Sequence, residues 1–118
     1  MSDIQKAVSK WLVACFGSKL AKDKVERNHR YIEESLELVQ ACGCSKDEVL
    51  KIVDYVYSRD VGDRQQELGG AMTTLFALAD AYGDDLEACA KTEIDLIWQK
   101  IDHIRAKREG KPDFSHAA

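Results

Sequence analysis

The segment Ser45-Lys-Asp-Glu48-Val49-Leu-Lys-Ile52-Val53-Asp-Tyr-Val56 decides the fold class. Ser45 and Glu48 form the Ser-x-x-Glu pair of a capping box, in which each side chain satisfies a backbone N–H at the start of a helix. Val49, Ile52, Val53 and Val56 then recur at i, i+3, i+4 and i+7, which places all four on one helical face. A capped start followed at once by such a stripe predicts a helix.

The same signals recur on both sides. Upstream, Val25, Ile32, Leu36 and Val39 gather on one side of a helix expected from about Asp23 to Ala41, and Gly43 ends it. Before it, Ile4, Val8, Trp11, Leu12 and Cys15 share a face of a first helix from about Asp3 to Phe16, with Gly17 as its stop. Downstream, Ser58 to Gly62 reads as a turn, and a fourth helix starts near Asp63 and continues to Tyr82. Its stretch from Leu68 to Ala79 carries no charge, which predicts the central and most buried helix. Gly83 closes it, Asp84 and Glu87 make a second capping box, and Leu86, Ala90, Ile94, Ile97, Ile101 and Ile104 stripe the last helix. That helix ends in a basic run, Arg105 to Lys111, before Pro112, and residues 109–118 are expected to fray. With no strand alternation and no repeat, the expected architecture is all-α: a single-domain bundle of about five helices over residues 1–118.

Composition narrows the function. At 118 residues the chain fits one domain with a real core. Seventeen basic against 21 acidic side chains leave a net charge of −4, so binding to a nucleic-acid backbone, which depends on neutralising phosphates, is not expected. No apolar run reaches the roughly 18 residues that span a bilayer, so no membrane partner is expected. The opening MSDIQKAVSK has none of the basic-then-apolar order of an export signal, and a cytoplasmic location is the expectation. The four cysteines, Cys15, Cys42, Cys44 and Cys89, then read as reduced thiols, mostly small core residues. Cys42-Gly-Cys44 lacks the second pair that a zinc site needs.

Chemistry concentrates on the second helix, Glu26-Arg-Asn-His-Arg-Tyr-Ile-Glu-Glu-Ser-Leu-Glu-Leu-Val-Gln40. Arg30, Glu33, Glu34 and Glu37 occupy one arc, roughly opposite the apolar one. Three like charges so close repel, and hard divalent cations such as magnesium favour an oxygen-rich group of this kind. The alternative is a solvated acidic face paired with Arg30. Glu67 stands at the head of the charge-free helix, on a face that continues through Ala71, Thr74, Leu78 and Ala81, where an unpaired carboxylate is costly. Gly69-Gly70 follows; two glycines inside a helix suggest a close approach to the backbone, by a neighbouring helix or by a ligand. A di-iron bundle would need two Glu-x-x-His motifs, and Glu26-Arg-Asn-His29 is the one match.

Glu33-Glu34-Ser-Leu-Glu37-Leu, followed some thirty residues on by Glu67-Leu-Gly-Gly and a small-residue helix ending Ala-Tyr-Gly-Asp-Asp-Leu-Glu, resembles the MazG-like, all-α nucleoside triphosphate pyrophosphohydrolases over about residues 20–105. The resemblance implies a magnesium site, with manganese as a substitute, held by Glu34, Glu37 and Glu67. It implies hydrolysis of a nucleoside triphosphate, ribo or deoxy, to the monophosphate and pyrophosphate, with Glu33 or Glu34 orienting or deprotonating the water. It further implies that Lys100 or Arg105 reaches the substrate's phosphates, that Arg27, Asn28 and Arg30 are placed to do so, and that the chain forms a homodimer or higher homo-oligomer. Gly70 stands where the family pattern has an aspartate. A site with fewer protein ligands, a substitute acid, and a non-catalytic nucleotide-binding or oligomerisation module are the readings this leaves open.

Overall fold

The computed structural model describes residues 1–114; the end of the tail expected to fray, from 115 on, lies outside the described residues. Among these residues the chain is all-helical, with no strand. Six helices follow in order: α1 (Asp3–Ala21), α2 (Lys24–Ala41), α3 (Lys46–Tyr57), α4 (Arg64–Tyr82), α5 (Leu86–Gln99) and α6 (Ile101–Glu109). No helix among them is long and apolar enough to cross a membrane. Residues 111–114 carry no regular structure.

Most of the caps stand where the sequence places them. Ser45 Oγ accepts from Glu48 N–H at 3.2 Å and opens α3. Asp23 accepts from Glu26 N–H at 3.1 Å, and Asp63 accepts from Gln66 N–H at 2.9 Å. Each satisfies one of the donors that a helix start leaves without an internal partner.

Three boundaries differ from expectation. Gly17 breaks α1 with φ 82° and ψ 162°, but the chain resumes helix as far as Ala21 instead of stopping. The second capping box does not form: Asp85, not Asp84, is the N-cap and accepts from Ala88 N–H at 3.0 Å, and Ala88 has no side chain to reach back. The physical reason is the end of α4, where Asp84 N–H is committed to Ala79 O at 2.9 Å beside a left-handed Gly83. The last expected helix is two, because Lys100 leaves helical geometry at φ −118° and ψ 23°.

The chain divides into two compact units, Tyr31–Asp84 and the remainder on either side of it. In the unit formed by the chain's two ends, α1 packs on α5 and α6. Trp11, Cys15 and Ala21 are its buried residues, and Trp11 meets Phe16 edge-on with ring centroids 5.8 Å apart. Leu86, Ala90, Ile94, Ile97, Ile101 and Ile104 are all half-buried, so the stripe read from the sequence faces inward across the break at Lys100. Arg105 joins the two ends of the chain: its guanidinium donates to Cys15 O at 2.5 Å and to Ala14 O at 2.9 Å. Gly17 interrupts the helix just beyond those carbonyls, and an arginine is well shaped to satisfy both. Burial pushes the Cys15 thiol up from its ordinary value, against the pull of Arg105. Cys15 is thus the core thiol; Cys42 and Cys44 are half-buried and Cys89 is exposed, contrary to the expectation that most would be core.

The unit Tyr31–Asp84 contains the larger part of α2, all of α3 and all of α4. None of its residues is buried. The expectation that α4 is the most buried helix is therefore corrected: Leu68 is 66% exposed and Met72 51%. Lack of charge does not by itself mark burial: among the described residues none covers this stretch of α4. A long-range tie in the unit is Tyr82 Oη donating to Cys42 O at 3.4 Å, which links the ends of α4 and α2. Gly83, at φ 73°, makes the turn after α4. Gly83→Ala is expected to cost about 1 kcal/mol, because a β-carbon is disfavoured in that conformation. Nothing lies within 4 Å of a Cβ built there, so the loss is one of backbone strain alone. A lowered urea midpoint with an unchanged slope would show it.

Candidate metal centre

α2 carries the acidic cluster. Its apolar residues turn one way, and the helical period sets Glu33, Glu34 and Glu37 side by side on another arc. One carboxylate oxygen from each can be chosen so that the three lie within 4.8 Å of one another. Glu33 is half-buried; Glu34 and Glu37 are exposed. The donor set is three hard anionic oxygens, the kind that magnesium and manganese accept. Three protein carboxylates would leave the rest of a divalent ion's coordination to other oxygen ligands.

Glu67 is not in that group. It is the fourth residue of α4, and a Cβ built on Gly62 would stand 2.5 Å from its Oε1. The carboxylate is therefore folded back over the Gly62 backbone of the preceding loop. On the face assigned to it, Ala71 and Leu78 are half-buried, whereas Thr74 and Ala81 are exposed. Gly69 and Gly70 have open space where a side chain would project, so among the described residues no neighbouring helix makes the close approach that the glycine pair suggests.

The basic residues divide. Arg27 and Arg30 gather about Glu26, with Arg30 Nε 3.2 Å and Arg27 Nη2 4.0 Å from Glu26 Oε1. Arg108 Nη2 joins them from α6, 3.5 Å from Glu26 Oε2. Arg27 also lies over the Phe16 ring at 5.8 Å. Burial lowers the Arg27 pKa, Glu26 opposes the shift, and the neighbouring charges of Arg30 and Arg108 add to it. Asn28 is exposed on α2, and Lys100 is exposed between α5 and α6. Arg105 makes the two carbonyl contacts described above, and its Nη1 lies 3.8 Å from Asp102.

In the sequence Arg108 stands out only as one member of the basic run Arg105 to Lys111. Its pairing with Glu26 spans most of the chain, and a basic run alone does not single out which member makes such a contact. Beside this cluster is a cleft of about 480 Å³, lined among others by Asp23, Glu26, His29, Arg108 and Phe114. His29 meets the Phe114 ring edge-on at 5.6 Å there. The cleft is lined by charges of both signs.

Comparison with known families, curated proteins and solved structures finds no match to this chain.

Proposed function

We propose that the chain is a magnesium-dependent nucleoside triphosphate pyrophosphohydrolase of MazG-like type, cleaving a ribo- or deoxynucleoside triphosphate to the monophosphate and pyrophosphate. The observation that carries this reading is the convergence of Glu33, Glu34 and Glu37 at metal-ligand spacing on one helix. Glu34 and Glu37 hold the cation, and Glu67 joins them only if its side chain leaves Gly62. Magnesium, or manganese in its place, supplies charge neutralisation and polarisation of phosphate oxygens when bound. Glu33 or Glu34 accepts a hydrogen bond from the attacking water and takes its proton as the water adds to phosphorus. Arg27, Asn28, Arg30, Lys100 and Arg105 are the residues proposed to reach phosphate. Arg105 has to give up its hold on the Cys15 and Ala14 carbonyls to do so. A homodimer or higher homo-oligomer and a cytoplasmic location belong to the same proposal.

The deciding experiment measures pyrophosphate release across the common ribo- and deoxynucleoside triphosphates with magnesium present. Release from at least one of them, abolished by chelation, is the expected result. Nucleotide binding without release would replace hydrolysis by a non-catalytic nucleotide-binding module, the reading that Gly70 in the aspartate position favours.

Metal binding has its own readout. A cation that binds the native chain raises its thermal stability by mass action, by about 2.7 kcal/mol at a hundredfold excess over its dissociation constant. The melting temperature is therefore expected to rise through the millimolar range of magnesium. Glu34→Gln is expected to flatten that response, and a wild-type melting temperature indifferent to magnesium would remove the site.

A further inference from the structure

We infer that the cleft between the start of α2 and the end of α6 binds a nucleoside monophosphate, with the base against His29 and Phe114 and the phosphate on Arg108. The choice of a nucleoside rests on the proposed function; magnesium and hydrolysis do not enter. The cleft lies wholly within the unit formed by the two ends of the chain. Its volume of about 480 Å³ falls in the range of sites for small organic ligands.

One part of the lining suits a planar ring. His29 is half-buried and Phe114 is 49% exposed, and their rings meet edge-on at 88° with centroids 5.6 Å apart. A ring that offers only its edge to a neighbour keeps its faces for a third ring, such as a nucleobase. Val25 and Pro112 line the same cleft and add apolar surface.

The other part suits a phosphate. Arg27, Arg30 and Arg108 gather on the single carboxylate of Glu26, which leaves a surplus of two positive charges. Arg30 and Arg108 line the cleft. Arg108 is the poorly satisfied member. Its Nη2 stands 3.5 Å from Glu26 Oε2, beyond the usual hydrogen-bond range, and its enclosed Nε–H has no acceptor among the described residues. A phosphate group supplies acceptors in the two-pronged geometry that a guanidinium favours.

Charge limits the ligand to a single phosphate. A phosphate monoester brings about −1.5 to −2 at neutral pH, which matches the surplus. Elsewhere the lining sets Lys111 against Asp23, Glu109 and Asp113. A triphosphate or a nucleic-acid backbone would bring its further charges against those carboxylates. The ligand is thus of the kind that the proposed reaction releases, not the kind that it consumes.

The common ribonucleoside monophosphates, each titrated into the isotope-labelled full chain with a chelator present, test the site by amide chemical shifts. With at least one of them, shifts are expected in the first turns of α2 and from Arg108 to Phe114. Inorganic phosphate and the free nucleoside are expected to bind more weakly. Arg108→Gln and His29→Ala are each expected to lower the affinity about tenfold. No shifts at millimolar nucleotide, or shifts confined to Glu33, Glu34 and Glu37, overturn the site. So does binding that both variants leave unchanged, and phosphate that binds as tightly as the nucleotides removes the ring from it. With neither triphosphate nor free metal present, failure here leaves pyrophosphate release unaffected, and absence of pyrophosphate release leaves binding here to stand.

Discussion

Glu37→Gln is expected to lower pyrophosphate release on the order of a hundredfold or more while leaving the helices intact. The amide keeps the size of the carboxylate and removes the charge that holds a cation. Of the three clustered glutamates, Glu37 is exposed, so its loss opens no cavity. Repulsion with Glu33 and Glu34 is relieved at the same time, and stability without metal should hold or rise slightly. Activity and circular dichroism on one preparation separate the outcomes. A folded, inactive variant supports the metal site. A variant that unfolds shows the glutamates to be structural, and one that is folded and fully active moves the chemistry elsewhere.

Trp11→Ala is expected to be the most damaging single substitution for stability, at about 3–5 kcal/mol. Trp11 is 6% exposed, and it supports the edge-on contact with Phe16. Among the described residues of its unit, Cys15 and Ala21 are the other buried ones, both small, so the indole is the largest buried side chain there. Thermal melts followed by far-ultraviolet circular dichroism should show a drop on the order of 10 °C or more. A fall within a degree or two of wild type would mean that the contact of α1 with α5 and α6 does not depend on the indole.

The helices themselves were legible before any coordinates, because their signals are local. Asp23, Ser45 and Asp63 cap as their hydroxyl or carboxylate chemistry requires, and Gly83 turns left-handed as a glycine beyond a helix end does. The half-buried run from Leu86 to Ile104 follows from period alone. What failed depended on competition or on distance. Asp84 and Asp85 are equally good caps by residue type, and only the hydrogen bond from Asp84 N–H to Ala79 O decides between them. The uncharged stretch of α4 led to an expectation of burial that the structure does not bear out, because absence of charge says nothing about what packs against a helix. The helical wheel placed Glu33, Glu34 and Glu37 together because they share one helix. It gave only a face for Glu67, whose side chain has gone back to Gly62.

The bonds that close α1 onto α6 have a consequence for synthesis. Cys15 Sγ meets Ile101 O across 86 positions, and Arg105 reaches Cys15 and Ala14 across 90 and 91. Contacts of such sequence separation are slow to form, because a long loop closes before they reward it. On the ribosome, α1 emerges before α6, and the arginine that satisfies its interrupted carbonyls is added some ninety residues later. Until α5 and α6 are made, α1 has neither to pack on. The nascent chain exposes that surface until α6 is released, which makes this stage the natural point for a chaperone to hold it.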